Sequence, residues 1–344
     1  MSRVEKRRRR RAGWARVAGA AMAAVVVAGL AGCSSTGGKQ AEERREQALE
    51  GGGSAVNTPR WKVAMVTHSG DGDTFWDIVQ NGAEMAARKD NIEFLYAHDK
   101  DAGRQAQLVK SMVDKQVDGL IVTLAKPEAM KDVVRRATKA GIPVITINSG
   151  QDRYEEFGAL THIGQDEVVA GEAVGEELNA RGRERALCVV HEQGNVGLDQ
   201  RCTGVENTFD GEIDRLYVEG TNMPSVESSI SAKLQSDEKI DSVVALGAPF
   251  AATAAKSIDQ TGSKAEVATF DLNAQVVDGL KDGTISFAVD QQPYLQGYEA
   301  VDLMWLRLYN DDVLGGGRPV LTGPQIVTPE DAPELEKYTK RGTR

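Results

Sequence analysis

The sequence predicts an α/β protein built from two successive lobes, each a parallel sheet covered by helices. Three observations carry this. From Trp61 onward, short runs of Val, Ile and Leu alternate with amphipathic windows of helical period, the pattern of repeated βαβ units. The strand runs are nearly continuous in apolar residues and do not alternate with polar ones, as strands covered on both faces require. The series then starts afresh after Thr161-His162-Ile163-Gly164, which divides the elements into two sets.

In the first set, Lys62 to Thr67, Ile92 to Tyr96, Gly119 to Leu124 and Pro143 to Ile147 are the strand candidates. Between them, Phe75 to Arg88 places Ile78, Val79, Gly82, Ala83 and Ala86 on one helical face, and Gln105 to Lys115 does so with Leu108, Val109, Met112 and Val113. Pro127 to Ala140 repeats the stripe and stops at Gly141, with Pro143 just beyond. The second set has strands at Ala186 to Val190, Arg215 to Val218, Ile240 to Leu246, Ala265 to Phe270 and Ile285 to Val289. Its helical windows are Gln200 to Phe209, Val226 to Leu234, Phe250 to Ile258 and Ala274 to Leu280.

Upstream, Lys6 to Arg11 and Arg16 make a basic start, Val17 to Ala31 is a run of small apolar residues, and Leu30-Ala31-Gly32-Cys33 closes it. This resembles the signal peptide of bacterial lipoproteins, which implies removal of residues 1–32, lipidation of Cys33 and anchoring on the extracytoplasmic face of the membrane. A retained membrane-spanning helix would need ~20 apolar residues and is the weaker reading. Residues 33–60, with Gly37-Gly38, a Glu/Arg-rich patch and Gly51-Gly52-Gly53-Ser54, cannot bury a core and read as a flexible tether.

Loss of residues 1–32 removes eight of the 41 Lys/Arg and one of the 51 Asp/Glu, leaving a formal net charge of −17. Such a chain repels nucleic acid and anionic lipid. Cys188 and Cys202 remain in a compartment that permits disulfides; a bond between them is expected, with two buried thiols as the alternative. There is no Cys-x-x-Cys, and His68, His98, His162 and His191 lack ligand spacing, so no metal and no cofactor is expected.

Parallel α/β sheets bind ligands beyond the carboxyl ends of their strands. Residues standing there include His68-Ser69, Asp73, Phe75, Trp76, Asn148-Ser149, Glu192, Asn195, Arg201, Asp271, Asn273 and Asp290-Gln291-Gln292. Planar amides and carboxylates suit vicinal hydroxyls, and flat rings cover the C–H faces of a sugar. Each also has a plain structural role open to it. Phe75 and Trp76 begin a helix, although adjacent aromatics cannot both point inward; Asn148 can shape a turn; Asp271 can cap the helix at Ala274; Arg201 can pair with Glu206 or Asp199; and Gln291-Gln292-Pro293 can be a helix-initiating hinge.

From Trp61 to about Val327 the chain resembles the type I periplasmic binding proteins, specifically the ribose/galactose-like components of sugar ABC transporters. Asp73-Thr-Phe-Trp-Asp-Ile-Val-Gln-Asn-Gly-Ala-Glu is similar to the family's first loop and helix, Gly141-Ile-Pro-Val-Ile-Thr-Ile-Asn148 to its fourth strand, and Thr161-His-Ile-Gly-Gln-Asp-Glu to the first crossover between lobes. Arg201-Cys-Thr-Gly, Thr269-Phe-Asp271 and Asp290-Gln291-Gln292-Pro293-Tyr-Leu-Gln-Gly-Tyr match later positions. The resemblance implies two Rossmann-like lobes joined by a three-strand hinge, one comprising residues 61–164 plus 292–322 and the other 165–291 plus 323–344. It implies that Phe75 and Trp76 stack on a sugar ring and that Asp73, Asn148, Arg201, Asp271 and Gln291 supply polar contacts. Two departures count against ribose: Asn148-Ser149 stands where ribose-type members carry Asp-Arg, and Leu246-Gly247-Ala248-Pro249 where many place Asn-Asp.

The expected function is a monomeric, non-enzymatic, lipid-anchored receptor that closes on a sugar or polyol and delivers it to an ABC permease. A receptor for a small furanose-like signalling molecule of the autoinducer-2 kind is the alternative within the fold. A LacI-like regulator would need a basic helix-turn-helix in place of the leader. A glycosidase using Asp73 and Asp271 would need carboxylates ~5 Å apart in the retaining geometry.

Overall fold

The computed structural model describes residues 56–344 except Asp71. The leader, Cys33 and the tether as far as residue 55 lie outside the described residues. The first set of elements runs β1 (Lys62–Thr67), α1 (Thr74–Lys89), β2 (Glu93–His98), α2 (Ala102–Asp114), β3 (Gly119–Thr123), α3 (Pro127–Lys139), β4 (Val144–Ile147), α4 (Tyr154–Phe157) and β5 (Thr161–Gly164). The second runs α5 (Glu167–Ala180), β6 (Arg185–Val190), α6 (Val196–Thr208), β7 (Glu212–Tyr217), α7 (Met223–Ser236), β8 (Ser242–Ala245), α8 (Ala248–Thr261), β9 (Glu266–Phe270), α9 (Ala274–Asp282) and β10 (Phe287–Asp290). The chain then returns through α10 (Pro293–Asn310), β11 (Val320–Leu321), β12 (Gln325–Val327) and α11 (Ala332–Lys340).

Two six-stranded sheets result, ordered β11-β5-β4-β3-β1-β2 and β12-β10-β9-β8-β6-β7. All pairings are parallel except β10 with β12. Each sheet is buried on both faces, which explains the unbroken apolar runs: Val63 and Met65 of β1 face one core while Ala64 and Val66 face the other. In β6, Leu187 and Val189 are likewise separated from Ala186, Cys188 and Val190. Strand-end expectations were closest for the first lobe. In the second, β7 begins three residues before Arg215 and α6 four before Gln200, because α6 is capped by Asn195, which accepts from the Gly197 N–H.

The chain passes between sheets three times, after β5, after β10 and between β11 and β12. Thr322 ties the three passages together: its N–H donates to Gly164 O at 2.8 Å and its Oγ1 to Gln291 O at 2.7 Å. Beside them, the buried Asp290 carboxylate pairs with Arg344.

Helix pairs α1/α10 and α5/α6 cross at glycines. A Cβ on Gly297 would lie 1.9 Å from Val79 O, and one on Gly82 2.0 Å from Tyr294 O. In the other pair, Gly204 would meet Val168 O at 2.0 Å and Gly171 would meet Arg201 O at 2.1 Å. Helices approach this closely only without side chains, and the α5/α6 contact seats the start of α5 against Arg201. A disulfide between Cys188 of β6 and Cys202 of α6 ties the same helix to the strand beneath it.

Gly204→Ala is therefore expected to lower the melting temperature by several degrees, since forcing atoms into a packed contact costs about 1 to 3 kcal/mol or more. Differential scanning calorimetry measures it, and an unchanged transition would show the crossing to be loose.

Candidate functional site

The carboxyl ends of both sheets open on one cleft of about 1050 Å³. Asp73, Phe75, Trp76, Asn148, Arg201, Asp271 and Gln291 all line it. The structure joins three of them directly. Gln291 Nε2 donates to Asp271 Oδ1 at 2.6 Å, and Gln291 Oε1 accepts from Asn148 Nδ2 at 3.0 Å. Gln296 Nε2 also donates to Gln291 Oε1 at 2.9 Å. Asn148 comes from the end of β4 and Asp271 from the end of β9, so this hydrogen-bonded chain spans both lobes.

Asn148 (φ 65°) and Asp271 (φ 69°) both adopt the left-handed backbone region, which Asn and Asp tolerate better than other side chains. The reversal turns each strand end toward the cleft while the residue's N–H stays on the neighbouring strand: Asn148 N donates to Ile163 O and Asp271 N to Val289 O. Asn148 thus does shape a turn, and its side chain bonds across the cleft as well, whereas Asp271 does not cap the helix that follows it. The helix after Asp271 is capped by Asn273, which accepts from Val276 N at 2.8 Å.

Asp73 caps α1, accepting from Phe75 N at 3.2 Å. Phe75 and Trp76 meet edge to face at 5.1 Å, and His68 meets Trp76 in the same manner at 5.0 Å. The expectation that the two aromatics cannot both point inward is corrected. Trp76 is 5% exposed and belongs to the first-lobe core, Phe75 packs on that same core, and both still border the cleft. They form the cleft's apolar wall at the point where the core reaches it.

Arg201 does not pair with Glu206 or Asp199; Arg215 takes Glu206 instead, at 2.7 Å. Arg201 is 4% exposed, holds Glu167 in a two-pronged pair at 2.7 and 2.9 Å, and donates to Leu246 O at 3.0 Å. Burial alone would lower its pKa, but the Glu167 charge and hydrogen bonds outweigh that and hold it above the usual value. Its ring-stacked neighbour is Phe270, 4.5 Å from the guanidinium.

Lys126, His191 and Phe250 also line the cleft and were not singled out as site residues from sequence; Glu167 and Gln296, which stand in the two crossover segments, hold Arg201 and Gln291 by hydrogen bonds, and those partners follow from the packing of elements distant in sequence. At the cleft, Lys126 of the first lobe pairs with Glu192 of the second at 3.0 Å, and nearby the Val196 N–H donates to Ala125 O at 3.0 Å.

Burial raises Asp271 to about 7, against the pull of Arg201 and the Gln291 hydrogen bond. With its folded pKa above the unfolded value, the folded state binds more protons between about pH 4 and pH 7, so stability from this group falls as pH rises through that window. Asp271→Asn is expected to raise the melting temperature of the ligand-free protein at pH 8 and to have no stabilising effect near pH 4. Parallel melts at the two pH values check this. Glu167→Gln is expected to cost about 3 to 5 kcal/mol in denaturant unfolding, because it strips a buried guanidinium of its counter-charge.

Residues 63–311 match the family described as periplasmic binding protein domain. Among curated proteins, the chain is 23% identical over 282 residues to the xylose/arabinose-binding protein of Sulfolobus acidocaldarius, covering 76% of this chain and 70% of that protein. It is 25% identical over 250 residues to the ribose import binding protein of Bacillus subtilis, covering 70% and 78%. Among solved structures, a carbohydrate transporter from Acidothermus cellulolyticus 11B in complex with myo-inositol is 45% identical, covers 83% of this chain and 100% of its own, and superposes with a TM-score of 0.82. A solute-binding protein from Burkholderia graminis C4D1M in complex with D-arabinose shares the fold at 22% identity, covering 80% and 98%, with a TM-score of 0.71. The chain belongs to the periplasmic binding protein domain family, as a type I sugar-binding protein with two α/β lobes.

Proposed function

We propose that this protein is a non-enzymatic, extracytoplasmic receptor that captures a neutral cyclic polyol, inositol foremost, between its lobes and delivers it to an ABC permease. The observation that carries the reading is the Asn148–Gln291–Asp271 chain, which presents amides and a carboxylate from both lobes to one cleft beside the Phe75–Trp76 wall. Each of these groups keeps a further N–H or lone pair for a ligand hydroxyl. A polyol held between lobes stabilises the closed arrangement by its differential affinity for it. The 45% identity to a carbohydrate transporter crystallised with myo-inositol supports the polyol over a pentose.

Within this reading, Asp73, Asn148, Arg201, Asp271 and Gln291 make the polar contacts and Phe75 and Trp76 the stacking ones. Arg201 contributes only the N–H groups that Glu167 and Leu246 leave over. The lobes are residues 61–164 plus 292–322 and residues 165–291 plus 323–344, and Cys33 is the lipid anchor. The density of polar groups in the cleft counts against a furanose-like signalling molecule.

Isothermal titration calorimetry of the purified protein with myo-inositol, scyllo-inositol, ribose, xylose and galactose tests the assignment. Heat is expected from an inositol, with a ligand at a hundred times its Kd adding ~2.7 kcal/mol of stability. Asp271→Ala and Trp76→Ala are each expected to weaken that binding at least about tenfold. Binding of a pentose alone would replace the polyol, and wild-type affinity in both variants would remove the cleft assignment.

A further inference from the structure

His191 follows β6 and forms part of the second lobe's wall of the cleft. Its ring lies flat on Phe250, centroids 4.1 Å apart and planes 16° from parallel. Two glycines make room for it: a Cβ on Gly247 would come within 3.2 Å of the ring's Cε1, and one on Gly220 within 3.1 Å of the His191 Cβ. The orientation is thus set by packing, with no polar contact to help. Nδ1 is buried without a hydrogen-bond partner, and among the described residues Nε2 has none either.

Each of the other histidines has at least one bonded ring nitrogen: His68 engages Thr123 through Nδ1 at 2.8 Å, His98 reaches Ser69 O at 3.2 Å, and His162, whose Nε2 is also buried without a partner, engages Thr146 through Nδ1 at 2.9 Å. Burying a ring nitrogen without a partner is costly, and native structures rarely do it without a reason. Beside the His191 ring, Leu246, Gly247, Ala248 and Pro249 bring no polar side chain, so along that stretch of the lining His191 offers a polar group to a ligand. Burial, then the positive charge of Arg201, hold its pKa well below the usual histidine range. A neutral imidazole has one N–H donor and one acceptor. That pair matches a hydroxyl, which donates and accepts, and matches a carboxylate or phosphate poorly.

We propose that His191 is a specificity-determining residue of the cleft, with a ring nitrogen hydrogen-bonded to a ligand hydroxyl while Phe250 fixes the plane of the ring. The proposal rests on the neutral polyol reading above and adds a contact on the wall opposite Phe75 and Trp76.

Calorimetric titration with myo-inositol of wild type, His191→Phe and His191→Gln tests it. Phenylalanine keeps a flat ring against Phe250 and lacks both nitrogens. It is expected to weaken binding about tenfold or more while the ligand-free melting temperature holds or rises. Glutamine restores a donor and an acceptor and is expected to recover part of the loss. Wild-type affinity in His191→Phe overturns the proposal and leaves the polyol reading standing, whereas absence of myo-inositol binding in the wild type overturns both. A reading that needs no variant is the ¹⁵N resonance of the His191 ring in the wild-type protein: it is expected to move on saturation with myo-inositol, and resonances that stay in place overturn the proposal.

Discussion

The amide of Gln291 holds the cleft together. It sits on the second of three passages between the lobes, donates to Asp271 at the end of one sheet and accepts from Asn148 at the end of the other. One planar group therefore sets the separation of two strand ends that belong to different hydrophobic cores. The arrangement needs both strand ends reversed into the left-handed region, at a conformational cost of order 1 kcal/mol or more each. Backbone hydrogen bonds from Asn148 to Ile163 and from Asp271 to Val289 keep them there. Because those acceptors lie on β5 and β10, the strands that lead directly into two of the three passages, the hinge and the cleft share the same hydrogen bonds.

The two lobes repeat one plan and fill it with different chemistry. β4 ends in Asn148 as β9 ends in Asp271, and α1 is capped by Asp73 as α6 is capped by Asn195. Glycines let α1 meet α10 and α5 meet α6 at backbone distance. In the first lobe this close packing brings Trp76 to the cleft as the bordering edge of a hydrophobic core. In the second the same crossing delivers a buried ion pair, since α5 starts with Glu167 and α6 carries Arg201. An apolar wall thus faces a polar one. A ring with C–H faces and a rim of hydroxyls fits between them better than a uniformly polar or uniformly apolar molecule.

Most of the fold was legible in the residues. Continuous apolar runs such as Gly119 to Leu124 allow no surface strand, and the stripe from Met130 to Ala137 allows no other helix face inward. The short strands β11 and β12, and the helices α5 and α10, were less visible. Val320–Leu321 is too brief for periodicity, and Glu167–Ala180 carries glycines and buried positions on several sides that blur its amphipathic pattern. In the cleft, the strand-end rule reached residues that face it because of sequence position, Asn148 and Asp271 among them. It could not reach Glu167 as the partner of Arg201, because that contact depends on Gly171 and Gly204 and on nothing in the charged residues themselves. Glu206 and Asp199 stood nearer in sequence, yet α6 turns them toward Arg215.

The pairing of Arg201 has a consequence for what the cleft accepts. An unpaired guanidinium buried at the base of a cleft would draw an anion, because only a counter-charge offsets its desolvation. Glu167 supplies that counter-charge from within, through both prongs of the fork, and leaves Arg201 with N–H groups that donate hydrogen bonds but no net charge to neutralise. Asp271, its pKa raised by burial to about 7, stands close enough to Arg201 to feel its field. A phosphorylated or acidic polyol would place its charge beside the Asp271 carboxyl, where the Arg201 guanidinium is already matched by Glu167. A neutral polyol asks only for donors and acceptors, which Asn148, Gln291, Asp271 and the remaining N–H groups of Arg201 can supply together. On the proposed polyol reading, the internal ion pair would therefore select by charge before any individual hydroxyl is read, and the orientation of each amide around it would select by stereochemistry afterwards.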